Sequence, residues 1–287
     1  MTAFNTILER LHRDHFPQAS FDEGETGRAM ARDPFGRLSS EFQPVIDAAD
    51  GSIAGHHALL RAADERGQPI APSALFALAA EEESIDHLDR LARALHMVNY
   101  FAAANEATRL FVNIDAALVA SAPVDHRECF DALLSSLDVP TNRVVVTLPV
   151  AILDDPVTFV RSSLWLNMRG YRVLATMRLA DAHADLEHVF MADPHYVGFD
   201  LSDFSSSLDG TSWREHVFRL VEAIHARGIR SIAQRIETAE QAEFARDTGF
   251  ALLQGRYFAP PDARILADVG QSRARTALSG SVAGGGW

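Results

Sequence analysis

Only one cysteine, Cys129, occurs among 287 residues, which excludes a disulfide framework and suits a reducing compartment. Apolar residues make up 47% of the chain, yet no uninterrupted apolar run reaches membrane-spanning length. The first thirteen residues alternate polar and apolar side chains, so no secretory leader is read there. Basic side chains number 26 against 39 acidic ones, a formal charge of −13. That balance argues against a general coat for nucleic-acid polymers, because phosphate binding relies on Lys and Arg. These absences point to a cytoplasmic protein with neither a membrane nor a nucleic-acid polymer as partner. The length suits one α/β barrel.

From residue 41 onward, strand-like and helix-like segments alternate. Short runs rich in Val, Ile, Leu or Phe predict strands at 41–47, 52–61, 110–114, 143–148, 172–176, 196–200, 231–233 and 252–254. Helical periodicity predicts helices over 72–82, 85–105, 127–136, 155–168, 183–192, 212–227 and 238–247. Asp154, Asp155 and Pro156 mark one helix start, and Gly170, Gly228 and Gly249 each follow a helix end. Repeated strand–helix units imply a parallel sheet with helical crossovers. Residues 48–51 are too few for a crossover, so the first two strands form an antiparallel hairpin. Ahead of them, Phe4, Ile7, Leu8 and Leu11 predict a helix over about 3–13. Residues 18–40, with Gly24, Gly27, Pro34 and Gly36, read as a linker. The division expected is therefore 1–40 as helix and linker, 41–265 as barrel, and 266–287 as a helix end with a flexible Ser/Gly-rich tail.

Three stretches carry a resemblance. Phe42-Gln43-Pro44-Val45-Ile46-Asp47, followed by Gly55-His56-His57-Ala58-Leu59-Leu60-Arg61, resembles F-Q-P-I-V-D … G-x-E-A-L-L-R. Residues 228–238 resemble G-x-x-V-x-A-E-G-V-E-T, and residues 251–261 resemble D-x-x-Q-G-Y-x-F-x-x-P. These are marks of the EAL domain family, bacterial cyclic-di-GMP phosphodiesterases. The resemblance runs from about 41 to 262 and implies a modified (β/α)8 barrel with one antiparallel strand. It also implies a metal-assisted hydrolytic site of carboxylates at the C-terminal ends of the strands.

This chain departs from the family at that site. His57 stands for the E-A-L glutamate, Thr147 for a strand glutamate and Val150 for a loop-ordering glutamate. Thr176 and Met177 replace an aspartate pair, Gly198 a lysine, and Gln234 a further glutamate. Asn113, Asp200 and Glu237 remain, too little negative charge for two Mg²⁺ ions. No catalytic residue, metal or cofactor is therefore expected. His57 is not read as a metal ligand, because adjacent His56 and His57 face opposite sides of a strand. Gln43, Leu59, Leu60, Arg61, Asn113, Asp200, Glu237, Gln254 and Pro260 match positions that contact or shape the family's nucleotide pocket. The expectation is an inactive EAL-like domain that binds cyclic di-GMP without hydrolysing it. The alternatives are a nucleotide-independent regulator of transcription or motility acting through a protein partner, and a residual phosphodiesterase. The resemblance also implies a homodimer.

Overall fold

The computed structural model describes residues 3–24, 27–81, 84–114, 125–148, 155–179, 186–202, 204 and 211–268, with backbone only at 3, 125–130 and 211–212. Val150, His183 and the tail from 269 onward lie outside the described residues, as does part of the expected helix over 183–192.

Eleven strands form one sheet: β1 Ser20–Glu23, β2 Ala29–Asp33, β3 Gly36–Asp47, β4 Ile53–Ala63, β5 Pro69–Ile70, β6 Arg109–Asn113, β7 Val144–Leu148, β8 Arg172–Arg178, β9 Tyr196–Asp200, β10 Arg230–Gln234 and β11 Leu252–Gln254. Their order is β1-β2-β3-β11-β10-β9-β8-β7-β6-β4-β5, and an additional β3–β4 pairing closes eight of them into a barrel. β4 and β6 through β11 pair in parallel, while β3 runs antiparallel to both β4 and β11. The expected barrel and its antiparallel strand are therefore present. The short turn at 48–51 forces that hairpin, and helical crossovers leave the other strands parallel.

Two apolar layers follow from strand alternation. One set of side chains, Val45, Phe111, Val145, Leu174, Tyr196, Ile232 and Leu252, fills the barrel interior. Phe111 and Tyr196 meet edge to face there, 5.5 Å apart. The opposite faces bury Phe42, Leu60, Leu110, Val144, Met177 and Phe199 in a larger core shared with the helices. Helix Ile85–Phe101 contributes Leu88, Leu91, Leu95 and Val98 to it. Asp155 caps helix Pro156–Met168 by accepting the Thr158 N–H, and Thr238 and Gln241 form a reciprocal capping box on helix Ala239–Asp247. Among the described residues, no helix is long and apolar enough to cross a membrane.

The N-terminal reading needs correction. Helix Ala3–Arg10 passes into a π-turn at Leu11–His15, and the stretch expected as a linker contains β1 and β2. β1 pairs with β2, and β2 with the start of β3, all antiparallel. Leu8, Leu11, Phe16, Ala29 and Ala31 are buried in the same core as the barrel helices. The hairpin is held from a distance by Asn99. Its Oδ1 accepts the Ala29 N–H at 2.7 Å, its Nδ2 donates to Ala29 O at 2.9 Å, and its carbonyl accepts from Arg28 at 2.7 Å. β5, also unanticipated, pairs with Ala62 and Ala63. β3 and β4 thus overshoot the barrel and, with β1, β2 and β5, raise an antiparallel wall on one side of its mouth.

Candidate ligand site at the barrel mouth

Two residues beyond the apolar interior layer, the alternation brings a second ring of side chains to the barrel axis, one from each closed strand. They are Gln43, His57, Asn113, Thr147, Thr176, Gly198, Gln234 and Gln254. This ring lies at the C-terminal ends of the parallel strands, where barrels of this kind assemble their sites. No member carries a formal charge at neutral pH. Burial pushes the His57 imidazole below its ordinary pKa, partly offset by hydrogen bonding to Asn113, so it is neutral. Its Nε2 lies 2.9 Å from Asn113 Oδ1, an acceptor, so Nε2 bears the proton.

The glutamines form a directional chain. Gln234 donates to Gln254 Oε1 at 3.2 Å, Gln254 donates to Gln43 Oε1 at 2.8 Å, and Gln43 donates to the Ala259 carbonyl at 3.1 Å. Gln234 also fills the space above Gly198. A Cβ placed at 198 would come within 2.6 Å of Gln234 Oε1. The replacements at 198 and 234 are therefore sterically complementary. On β7 and β8, Thr147 Oγ1 and Thr176 Oγ1 are buried with no hydrogen-bond partner among the described residues.

Charge begins one step higher, at the rim. On the wall, Glu41 and Arg61 share the axis-facing side with Gln43 and His57. Arg61 Nε and Nη2 each lie 2.7 Å from Glu41 Oε2, and Nη1 donates to Leu60 O at 3.2 Å. Across the mouth, Asp200 Oδ2 meets Arg235 Nη1 at 3.1 Å, and its Oδ1 accepts the Ser202 N–H. Arg235 has φ of +59°, a left-handed conformation unusual for a side chain of its size.

The expected site residues divide accordingly. Gln43, Asn113 and Gln254 belong to the ring, with Leu59, Arg61 and Asp200 above it. Leu60 faces the helix-side core instead, Pro260 is exposed, and Glu237 is exposed with its backbone N–H on Gln241 Oε1. Of the substituted positions, Met177 points away from the mouth into the helix-side core, whereas Thr176 faces the axis. His56 faces outward, contacting Tyr100 Oη and Leu266 O, as strand alternation from His57 requires. Glu41 was missed, although its i−2 relation to Gln43 on one strand places it on the same face.

A hard divalent cation is the group the family resemblance implies, and the donor set among the described residues does not fit one. Such ions want several carboxylate oxygens. Among the described residues no three His, Cys, Asp or Glu side chains come together as a ligand set, and Asp200 is already neutralised by Arg235. A lysine cannot be recruited from elsewhere, since all 26 basic residues are arginine.

The EAL domain family model matches residues 28–261. The chain belongs to the EAL domain family. No curated protein matches it. Among solved structures, the FimX EAL domain from Pseudomonas aeruginosa bound to c-di-GMP aligns with a TM-score of 0.69 at 18% identity, over 81% of this chain and 93% of that one. The EAL enzyme Bd1971, with cAMP and cyclic di-GMP bound, gives 0.68 at 16% identity, over 82% and 63%. The PaMucR phosphodiesterase in complex with c-di-GMP gives 0.67 at 17%, over 78% and 91%. This chain therefore spans less than two thirds of the Bd1971 chain. At these identities the likeness is one of fold.

Proposed function

We propose that this EAL domain acts in bacterial second-messenger signalling by binding cyclic di-GMP without hydrolysing it. The observation that carries the reading is the uncharged ring at the strand ends. Hydrolysis of a phosphodiester by metal-activated water needs anionic ligands where this chain has His57, Thr147, Thr176 and Gln234. Binding needs less. Arg61 offers charge-assisted hydrogen bonds to a phosphate, and Gln43 and Gln254 offer amide edges to a base or ribose. The similar FimX, PaMucR and Bd1971 structures hold cyclic di-GMP, which supports that ligand class for this barrel.

Calorimetric titration of the full chain with cyclic di-GMP, in Mg²⁺ and again in chelator, tests the reading alongside chromatographic assay of turnover. The expected result is binding of equal strength in both buffers, with no linear or mononucleotide product in Mg²⁺ or Mn²⁺. Product above the enzyme-free blank, lost on Asn113→Ala, would instead identify a residual phosphodiesterase. No binding at high ligand concentration would leave the nucleotide-independent role with a protein partner. Restoring a single acid by His57→Glu is expected not to create activity, because such groups act as a unit.

A further inference from the structure

Two arginines at the rim of the mouth, Arg61 and Arg235, are each held by an acid of the same rim, and a third, Arg178, ends β8 on the axis-facing side in register with Asp200. Arg61 is held by Glu41 on the β3–β4 wall, with two of its nitrogens 2.7 Å from one carboxylate oxygen. Arg235 is held by Asp200 between β9 and β10 at 3.1 Å. In the closed sheet order, β9 lies three strands from β3 and four from β4, so the two pairs stand on opposite sides of the opening. In each pair the cation is the more exposed member. Side-chain exposure is 38% for Arg61 against 30% for Glu41, and 63% for Arg235 against 20% for Asp200. At the Arg235 pair the guanidinium thus shields its carboxylate from an incoming molecule, and at the Arg61 pair both partners are reachable.

We propose that Glu41 and Asp200 are internal counter-ions that an anionic phosphodiester must compete with at Arg61 and Arg235, so that these two acids set the affinity of the mouth. The inference rests on the reading of the site as a cyclic-di-GMP receptor and adds a specificity mechanism to it. Without the carboxylate ring that would hold a bridging cation, phosphate oxygens must be taken directly by arginine. A guanidinium has five N–H groups. Glu41 takes the Nε–H of Arg61 and lies 2.7 Å from Nη2 as an ion pair, and Leu60 O takes one N–H on Nη1. At least one N–H therefore remains on each terminal nitrogen. A phosphate can bind while Glu41 stays, but two anions then share one cation in a partly solvated site. Their mutual repulsion weakens binding and falls with added salt. Glu41 thus disfavours weakly bound anions and leaves those with further contacts to the amide ring.

Titration of the full chain with cyclic di-GMP in chelator tests this with wild type, Glu41→Gln, Arg61→Ala and the double variant. Glu41→Gln keeps the shape and removes the charge, and binding is expected to tighten roughly two- to fivefold, the scale of a partly exposed ion pair. That gain should vanish in the Arg61→Ala background, which a merely structural role for Glu41 would not produce. If wild type binds and Glu41→Gln binds equally or more weakly, the counter-ion inference is wrong while the receptor reading stands. If Glu41→Gln binds and wild type does not, the inference stands and the natural chain is no receptor. If neither binds, both fall. Asp200→Asn, paired with Arg235→Ala, is an independent second cycle if Glu41→Gln melts early.

Discussion

At the scale of the residue, several motif positions have a physical reason that sequence alone did not supply. Gly255, in the Gln254-Gly255 pair, packs so closely on the backbone of Ile236 that a Cβ would overlap its N, C and O atoms. Rigid backbone cannot swing aside. Gly255→Ala is therefore expected to destabilise by about 2 kcal/mol or more, read from the urea midpoint. A midpoint equal to wild type would show that this approach can relax. Arg235 presents the opposite case. Its left-handed backbone costs roughly 1–2 kcal/mol in a non-glycine residue, against about 0–1 kcal/mol from its exposed pairing with Asp200. Arg235→Gly is expected to leave stability unchanged or raise it by up to about 1 kcal/mol, after allowing for glycine's greater freedom when unfolded. A clear loss of stability would mean that the Asp200 pair outweighs the backbone term. Strain retained at a site mouth is a reason to look for a role there, and the counter-ion pair supplies one. Arg61 carries the complementary binding prediction. Arg61→Ala is expected to weaken cyclic di-GMP by about 1.5–3 kcal/mol, the range for a hydrogen bond to a charged group, and an unchanged titration would remove Arg61 from the site.

At the scale of the element, legibility followed locality. All eight barrel strands were readable because buried parallel strands are short apolar runs between turn signals, as in Val144–Leu148. The antiparallel start was readable because four residues cannot make a crossover. β1 and β2 were not. Their buried face rests on Ala29 and Ala31, too small to mark a periodicity, and their turn carries Gly24 and Gly27. What makes them strands lies some seventy residues away in Asn99, whose amide bonds both backbone groups of Ala29. Removing it should leave a buried N–H and C=O unpaired at about 1–3 kcal/mol each. Asn99→Ala is thus expected to cost about 2–6 kcal/mol and to speed amide exchange over the described residues of 20–33 before the barrel strands. Uniform exchange across both regions would show that the hairpin is not a separately anchored unit. The mouth was half legible for a related reason. Alternation from one recognised motif gave the ring, while the pairings of Arg61 with Glu41 and Arg235 with Asp200 depend on side-chain reach that spacing does not fix.

At the scale of the whole molecule, the barrel and its helices enclose imidazoles that the folded state keeps neutral. His96, between β3 and helix Ile85–Phe101, is pushed down to about 3 by burial, helped by His57 and Arg93, and its Nδ1 lies 2.7 Å from Ser40 Oγ. His56 is pushed down to about 4 by burial, partly offset by its hydrogen bond to the Leu266 carbonyl. Burial also lowers His57. In the unfolded chain each returns to about 6.5. Above that value both states are neutral and these groups add no pH dependence. Below it the unfolded chain takes up protons that the folded chain refuses, so stability falls as pH falls. The decline runs from about 6.5 until the folded pKa is reached, near 4 for His56 and near 3 for His96. Each such histidine contributes a slope of about 1.4 kcal/mol per pH unit, or about 2 kcal/mol between pH 6.5 and 5. Carboxylates titrate mostly below that interval, so the window isolates the imidazoles. Urea midpoints at half-unit steps from pH 7.5 to 5 are expected to stay level to about 6.5 and then drop by at least about 4 kcal/mol, the share of His56 and His96 together, to which His57 adds. His96→Gln, which keeps a hydrogen-bonding group for Ser40 but cannot titrate, should remove its own share of the slope, about 1.4 kcal/mol per pH unit, even if it lowers the plateau. A profile flat from pH 7.5 to 5, or one that rises toward acid, would mean that the folded protein admits protons to these sites and that the helix layer over β3 and β4 opens more readily than its packing implies.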